Sequence, residues 1–287
     1  MRQLVLASAL TLALAGCATT AATTTPAPAG PTADDRLNAT LWFQKGLERD
    51  LVFRTVYRAA AHRLDAALAD PTWDALPKPD RVVDARGLAP AIIVDVDETV
   101  LDNSPSQVRL IRAGKDFEPA GWDEWVAERK AKPLAGAVEF LGIAARRGIT
   151  VFYITNRKAP AAQATFENLR DAGFPIADPS QMLGAGTVVE GCTPASSSDK
   201  SCRRQLVGRT HRVLMQFGDQ TGDFVQAPTN TQDARTAAFA PYADWIGERW
   251  FVLPNPTYGT WEDGLVGKEK DPTQARTIKL DALDDAK

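Results

Sequence analysis

Short runs of apolar residues along this chain are separated by longer stretches in which apolar positions recur at helical spacing. The short runs, rich in β-branched and aromatic residues, predict buried strands at 92–94, 149–154, 212–217 and 250–253. The longer stretches predict helices at 37–68, 134–147 and 161–172, the last two closed by Gly148 and Gly173. Strands that alternate with long helices predict an α/β protein, with a Rossmann-like, mostly parallel sheet and helices on both faces.

The N-terminal segment carries a different pattern. Arg2 precedes an apolar run at 4–15, which is too short for a permanent membrane span, and this run leads into Leu14-Ala15-Gly16-Cys17. The order resembles the lipobox of bacterial lipoproteins, in which the cysteine is lipidated and becomes the mature N-terminus. We therefore predict a lipoprotein signal peptide at 1–16 and lipidation at Cys17. The alternative is an ordinary secretory signal with an incidental cysteine.

Residues 17–35 are mostly Ala, Thr and Pro, which predicts a disordered tether between the lipid and a single domain at 36–287. Ala18 follows the cysteine and favours transfer to the bacterial outer membrane, on its periplasmic or its surface face. The membrane is expected as a partner through the lipid anchor alone, since no later apolar run approaches spanning length. The whole chain has a formal net charge of −3, which argues against a nucleic-acid polymer as partner.

Two further cysteines, Cys192 and Cys202, flank a polar segment. In an exported protein such a pair could close a loop through a disulfide, and two free thiols are the alternative. A zinc site is disfavoured, because the histidines of the chain are His62 and His211 and neither lies near the cysteines in sequence.

Two carboxylates follow the first predicted strand directly. Asp95 and Asp97 stand where that strand ends, and open α/β sheets bind their ligands at the carboxyl ends of the strands. Two close carboxylates repel each other unless a cation or a shared proton intervenes, which favours a metal site with acid/base chemistry. The pair alone is also compatible with a solvated turn, or with the acidic pairs of metal-dependent glycosyltransferases and nucleases.

The later strands also deliver polar residues. Thr155 and Asn156 follow the second predicted strand, where a hydroxyl and the backbone amides of a following helix could cradle a phosphate; a plain strand-end threonine is the alternative. Asp219 and Asp223 follow the third strand, and acidic turn residues are the alternative there. Lys200 lies ahead of the third strand, where a solvated lysine is the simplest account. The order of these residues along the chain favours the functional interpretation.

That order resembles the haloacid dehalogenase (HAD) superfamily. Its motifs appear here as Asp95-x-Asp97-x-Thr99, Thr155, Lys200, and Gly218-Asp219 followed by Asp223. Segments 122–126, 133–141 and 253–262, together with Leu41-Trp42, are similar to the class C bacterial acid phosphatases, the lipoprotein e family of 5'-nucleotidases. The similarity covers nearly all of the chain after the tether. It implies a haloacid dehalogenase fold with a small helical cap formed by the N-terminal and C-terminal segments.

The resemblance also implies catalytic and metal-binding roles. Asp95 is expected to be the nucleophile that forms an aspartyl-phosphate, and Asp97 the general acid and base. Mg²⁺ is expected to be held by Asp95, by Asp97 through its backbone carbonyl, and by Asp219. Asp223 is expected to be either an outer metal ligand or a partner for Lys200.

The same resemblance assigns phosphate binding to Thr155, Asn156 and Lys200. The family pattern Lys-Ser-Ser-Lys stands here as Lys200-Ser201-Cys202-Arg203, so Arg203 could hold the phosphate-binding role in another register. Gln220 stands where the family commonly has Asn, which is expected to alter only a contact beyond the metal ligands.

The expected substrates are small phosphomonoesters, and the resemblance points to nucleoside monophosphates, including nicotinamide mononucleotide. Four aromatic residues could stack a base or a nicotinamide ring, with core packing as the alternative: Trp122, Trp125, Tyr258 and Trp261. A homodimer is compatible with the resemblance. Two other function classes stay open. A non-catalytic ligand-binding surface lipoprotein would not need both aspartates of the first motif, and a metal-dependent glycosyltransferase would lack the later Thr, Lys and Asp motifs.

Overall fold

The computed structural model describes residues 34–267 and 271–286 of the chain. The predicted signal peptide at 1–16, Cys17 and nearly all of the predicted tether lie outside the described residues. Within the described part, none of the helices combines the length and the apolar character that crossing a membrane requires.

Parallel strands form the centre of the domain: β1 (Ala89–Val94), β4 (Thr150–Lys158), β5 (Met182–Ala185), β6 (His211–Gly218) and β7 (Trp250–Val252). They are arranged in the order β5-β4-β1-β6-β7. A separate antiparallel pair consists of β2 (Leu101–Asp102) and β3 (Lys132–Pro133). The α/β architecture with a mostly parallel sheet is confirmed.

The helices alternate with these strands in chain order. They are α1 (Arg36–Lys45), α2 (Leu47–Ala69), α3 (Ser104–Ala113), α4 (Pro119–Ala127), α5 (Ala137–Arg146), α6 (Ala162–Asp171), α7 (Ser201–Gly208), α8 (Gln232–Phe239), α9 (Thr260–Val266) and α10 (Pro272–Asp281). The predicted helices at 134–147 and 161–172 therefore correspond to α5 and α6, each shorter than the pattern suggests.

The central strand β1 has apolar cores on both of its faces. Ile92 and Val94 belong to one core, which also contains Phe217, whereas Ile93 belongs to a second core with Trp250. Side chains of a strand alternate between its two faces, so each face of the sheet is covered by its own layer. Full burial of one such aliphatic side chain contributes ~1.5–3 kcal/mol. The strand is therefore a firm support for the residues that follow it.

The prediction of a single helix at 37–68 is wrong. The structure has two helices, α1 and α2, that meet at Gly46. This residue is extended (φ −70°, ψ 119°), and its amide donates to the carbonyl of Trp42 at 2.8 Å. A Cβ at this position would lie 2.7 Å from that carbonyl oxygen, so the break requires glycine. The apolar spacing continues through the break, which explains why the pattern predicts one helix.

Strand β4 is longer than the strand predicted at 149–154. It continues to Lys158, and a short 3-10 turn at Ala159–Ala161 separates it from α6. Thr155 and Asn156 therefore lie within the strand, and the prediction that helix amides follow them directly is wrong. The edge strand β5 is not predicted from the sequence, because its four residues include Gly184 and show no alternation of apolar and polar positions.

The two ends of the domain meet at its surface. Asp35 forms ion pairs with Arg276 and with Lys279, and Lys279 also pairs with Glu262 at 2.5 Å. These groups are partly exposed, so each pair is worth roughly 0–1 kcal/mol. The pairs bring together the segments from which the small helical cap is expected.

Cys192 and Cys202 are joined in a disulfide. Cys202 lies in the first turn of α7, so the bond fastens the preceding loop to that helix. A disulfide that closes a loop of similar length stabilises a fold by about 3 kcal/mol in the chain-entropy account. The alternative of two free thiols is not observed.

Candidate active site

Asp95 is held at the carboxyl end of β1 by the sheet itself. Its backbone amide donates to the carbonyl of Phe217 in β6 at 2.9 Å, and the residue is 6% exposed. The chain then turns sharply, and the amide of Val100 donates to the carbonyl of Val96 at 3.0 Å. The hydroxyl of Thr99 donates to Asp95 Oδ2 at 3.3 Å. The threonine of the motif therefore helps to orient the first carboxylate.

Lys200 reaches this carboxylate from the start of α7. Its Nζ donates to Asp95 Oδ1 and, at 2.7 Å, to Asp223 Oδ1. Lys200 occupies the N-cap position of α7, and the neighbouring Asp199 accepts a hydrogen bond from the amide of Ser201 at 2.8 Å. Burial lowers the pKa of Lys200, but the carboxylates of Asp223 and Asp95 outweigh this effect and leave the pKa above its ordinary value. The buried lysine is therefore positively charged.

Arg203 has a different set of partners. Its guanidinium donates to the carbonyls of Thr155 and Asp199, at 2.5 and 3.0 Å, and to Asn156 Oδ1 at 2.8 Å. These contacts tie α7 to the end of β4. Of the two cations considered from the sequence, Lys200 is the one that contacts Asp95. Asn156, predicted to bind phosphate, accepts one of these hydrogen bonds from Arg203.

Three carboxylates converge next to Lys200. Ligand oxygens of Asp95, Asp219 and Asp223 all lie within 4.8 Å of one another, an arrangement that could hold a metal ion. Burial, followed by the charges of Asp223 and Asp95, raises the pKa of Asp219 well above its ordinary value. Burial also raises the pKa of Asp95 to about 7, against the opposite effect of the Lys200 ammonium. A divalent cation would relieve the repulsion among these groups.

Neighbouring side-chain and backbone groups orient the carboxylates of Asp219 and Asp223. Asp219 Oδ2 accepts hydrogen bonds from Asn255 Nδ2 at 2.8 Å and from Gln220 Nε2 at 2.6 Å. Asp223 Oδ2 accepts one from the backbone N–H of Gln220 at 2.8 Å. A Cβ at Gly218 would lie 2.3 Å from the Asp223 side chain, so the close approach requires glycine there. Gln220 therefore supports the cluster from outside.

The carboxylate of Asp97 points to other partners. Arg157 Nε and Nη2 donate to Asp97 Oδ1 at 2.9 and 2.7 Å, and Asn103 Nδ2 donates to the same oxygen at 2.8 Å. Thr155 Oγ1 donates to Asp97 Oδ2 at 3.2 Å. The Asp97 side chain is thus outside the acidic cluster, which leaves its backbone carbonyl as the candidate metal ligand. Thr155, predicted to bind phosphate, contacts Asp97 in this structure.

One of the four aromatic candidates for base stacking is excluded by burial. Trp125 is 3% exposed, and its indole N–H donates to Asn103 Oδ1 at 2.9 Å. Its ring belongs to the apolar core, so the prediction of a stacking role for Trp125 is wrong. The helix α4 turns this tryptophan inward, which its sequence position alone does not reveal.

The other three aromatic residues are partly accessible. Trp122 is half-buried, with its ring centroid 5.4 Å from the guanidinium carbon of Arg157. The hydroxyl of Tyr258 donates to the carboxylate of Glu98. Trp261 is 43% exposed. These rings have surface that a substrate could contact.

Three residues of the site are not predicted from the sequence: Glu98, Asn103 and Arg157. Glu98 is 1% exposed and has a left-handed backbone (φ 56°), and burial, followed by the charge of Asp97, raises its pKa well above its ordinary value. Asn103 is fully buried and Arg157 is 3% exposed. The sequence signal that could have identified them is their position, since each lies within a few residues of a predicted site residue.

Several known proteins are similar to this chain. Two solved structures of the class C acid phosphatase from Bacillus anthracis, one with tungstate bound, are each 32% identical to this chain, with a TM-score of 0.73. Each match covers 87% of this chain and 96% of the Bacillus anthracis chain. Acid phosphatase 1 of Solanum lycopersicum is 28% identical over 166 residues, and the stem 31 kDa glycoprotein of Glycine max is 26% identical over 168 residues. Each of these two matches covers 58% of this chain, and they span 57% and 58% of the two relatives.

The family assignment agrees with the geometry of the site. Residues 21–261 match the family described as HAD superfamily, subfamily IIIB (acid phosphatase). The matched range includes the central sheet and the carboxylates of the site, Asp95, Asp97, Asp219 and Asp223. The chain therefore belongs to the HAD superfamily, subfamily IIIB (acid phosphatase).

Proposed function

We propose that this protein is a Mg²⁺-dependent acid phosphatase that hydrolyses phosphomonoesters through an aspartyl-phosphate intermediate. One observation carries the proposal: Asp95, a buried carboxylate after the central strand, contacts Lys200 and lies within 4.8 Å of oxygens of Asp219 and Asp223. Similar proteins named acid phosphatases, from Bacillus anthracis and Solanum lycopersicum, support it. Tungstate, bound in one of the similar structures, is a tetrahedral oxyanion like phosphate.

In the first step, Asp95 attacks the phosphorus atom of the substrate. A carboxylate oxygen forms the new P–O bond while the bond to the leaving oxygen breaks, and the electron pair stays with that oxygen. Asp97 donates a proton to the leaving oxygen, so the product alcohol departs neutral. The charged ammonium of Lys200, held against Asp95, balances negative charge on the phosphoryl oxygens.

The second step returns Asp95 to its starting state. Asp97, now ionised, accepts a proton from a water molecule whose oxygen attacks the phosphorus atom. The P–O bond to Asp95 breaks, its electron pair returns to the carboxylate, and inorganic phosphate is released. The same Asp97 side chain therefore acts first as acid and then as base.

Mg²⁺ fits the acidic cluster, because this ion prefers oxygen ligands. Asp95, Asp219 and the backbone carbonyl of Asp97 would hold it, with Asp223 as an outer ligand that also binds Lys200. When bound, Mg²⁺ neutralises negative charge on the phosphoryl oxygens.

The proposal is tested by measuring phosphate release from a panel of nucleotides, sugar phosphates and p-nitrophenyl phosphate, with Mg²⁺ and with a chelator. We expect turnover in Mg²⁺, loss of turnover on chelation, and recovery when Mg²⁺ is restored. Equal release in the chelator would contradict the metal dependence. If the folded protein released no phosphate from any member of the panel, the phosphatase activity itself would be contradicted.

We further propose that nucleoside monophosphates, including nicotinamide mononucleotide, are substrates, which would make the protein a 5'-nucleotidase. Two partly exposed rings support this substrate class. The hydroxyl of Tyr258 contacts Glu98, the residue after Asp97, and Trp122 covers Arg157, which binds Asp97. Both rings therefore lie near the residue proposed to protonate the leaving group, where a base or a nicotinamide ring could stack.

Tyr258→Ala should raise the KM for nucleoside monophosphates by about tenfold to hundredfold, because loss of one base–aromatic stack costs roughly 1–3 kcal/mol. Glycerol phosphate, which has no ring, should be affected much less. Tyr258→Phe is the matched control, since it keeps the ring and removes only the hydroxyl that contacts Glu98. A uniform loss for all substrates would show that Tyr258 has a structural role.

We also propose that Cys17 anchors the protein to a bacterial outer membrane through lipid. The support is the lipobox-like order of residues 14–17 at the end of an apolar run. Metabolic labelling with radioactive palmitate should mark the full-length protein but not Cys17→Ser. A protein that begins at residue 34 should be soluble and fully active. Absence of label in a host with working lipoprotein maturation would contradict the anchor.

A further inference from the structure

A buried polar network stands behind Asp97. Trp125 Nε1 donates to Asn103 Oδ1 at 2.9 Å, and Arg157 Nη2 donates to the same oxygen at 3.1 Å. Because Asn103 Oδ1 faces two donors, its amide nitrogen must point the other way, and there Nδ2 donates to Asp97 Oδ1 at 2.8 Å. The indole N–H of Trp125, together with Arg157, therefore determines which group of Asn103 faces Asp97.

Arg157 is held in place by several neighbours. Its Nη1 donates to Thr165 Oγ1 at 3.2 Å, and that hydroxyl donates in turn to the carbonyl of Ala161 at 2.7 Å. The ring of Trp122 covers the guanidinium at 5.4 Å. In this position Nε and Nη2 both donate to Asp97 Oδ1. A guanidinium held in this way by its neighbours fixes the position of Asp97 Oδ1.

The two oxygens of Asp97 consequently differ. Oδ1 accepts three hydrogen bonds, two from Arg157 and one from Asn103. Within the described part of the chain, Oδ2 accepts a hydrogen bond from Thr155 Oγ1 at 3.2 Å, and a hydroxyl can rotate to accept instead of donate. The Asp97 side chain is 18% exposed, whereas that of Arg157 is 1% exposed. Oδ2 is thus the oxygen available to a substrate.

We propose that Arg157, Asn103 and Trp125 are positioning residues that lock Oδ1 of Asp97, so that Oδ2 transfers the proton in both steps. The inference rests on the proposed function, because it takes Asp97 as the acid and base. Buried polar groups are costly unless each finds a partner, and here several converge on one carboxylate. Trp125, in helix α4, thus helps to position the acid/base group. This role replaces the base-stacking role that the sequence predicts for Trp125.

Trp125→Phe tests this network, because it removes the indole N–H and keeps an aromatic ring in the core. We expect kcat/KM for alkyl phosphates to fall roughly tenfold, part of the ~10²–10⁴-fold that a general acid contributes, with little change for p-nitrophenyl phosphate. Trp250→Phe is the matched control, since its indole N–H donates to the carbonyl of Ala75 at 2.7 Å in the other core. This control should leave the ratio of the two kcat/KM values unchanged.

Arg157→Lys provides a second variant that keeps the charge and loses the planar fork, and it should show the same selective loss for alkyl phosphates. If the network acts through Asp97, adding Trp125→Phe to Asp97→Ala should cost no further activity. The inference is overturned if those losses multiply, or if Trp125→Phe and Arg157→Lys affect both substrates equally. If Asp97→Ala alone shows no dependence on the leaving group, the general-acid assignment of the proposed function fails, and the inference with it.

Discussion

Asp95→Asn should abolish phosphate release and leave the fold intact, which is the largest effect that we expect from a single substitution. The replacement keeps the shape of the side chain but removes the attacking carboxylate, so the aspartyl-phosphate cannot form. Asp74→Asn is the matched control, because Asp74 pairs with Arg81 at 2.7 Å outside the site and should leave activity unchanged. Residual activity of Asp95→Asn above a few per cent would contradict the assignment.

The same variant should change how stability depends on pH. Burial raises the pKa of Asp95 to about 7 in the folded protein, from an ordinary value of 3.8. Between these two values the folded protein holds a proton that the unfolded chain releases, so the free energy of unfolding falls as the pH rises through this window. Asp95→Asn lacks this titration. Its thermal midpoint, measured in a chelator, should therefore decline less steeply from about pH 4 to pH 7 than the midpoint of the wild type. A steeper decline in the variant would contradict this explanation.

Local sequence pattern is sufficient to predict the carboxylates after the strands. Ile92 to Val94 form a short, fully buried apolar run, so the end of β1 and the placement of Asp95 follow from the pattern. In the same way, the apolar residues of β6 and the glycine before Asp219 predict where the third strand ends and where Asp219 is placed. Because the carboxyl ends of parallel strands lie at one edge of the sheet, these groups converge whatever the details of the loops.

The orientation of Asp97 depends on contacts that no local pattern encodes. Its principal partner, Arg157, is 60 residues away in sequence, and the pairing requires β4 to continue past the predicted end of that strand. Trp122 and Trp125 give the same signal in the sequence, yet one ring is half-buried and the other belongs to the core. Burial of a helical side chain depends on what its helix packs against, which is a tertiary property.

The different positions of Lys200 and Arg203 also depend on tertiary structure. Lys200 stands at the N-cap of α7 and faces the carboxylates, whereas Arg203 lies within the helix and reaches back to the end of β4. The sequence places both cations before the third strand, but the exact start of α7 determines which one enters the site. Helix boundaries are the least predictable feature of a sequence pattern.

Asp97→Ala should separate substrates by their leaving groups. An alkyl oxygen is strongly basic and needs a proton as it departs, so loss of the general acid should lower turnover of alkyl phosphates on the order of 10²-fold or more. p-Nitrophenolate is a good leaving group that needs little protonation, so p-nitrophenyl phosphate should be hydrolysed with a much smaller loss. The measurement is kcat/KM for both substrates in wild type and variant.

Asp97→Asn controls for damage to the surrounding network. Alanine would remove the acceptor of three hydrogen bonds from the buried residues Arg157 and Asn103, which itself costs stability. The amide oxygen of an asparagine can still accept those hydrogen bonds, but the side chain cannot transfer a proton. Both variants should therefore show the same selective loss if proton transfer is the role of Asp97. Equal losses for alkyl and p-nitrophenyl phosphates would instead show that Asp97 serves mainly to hold the metal site together.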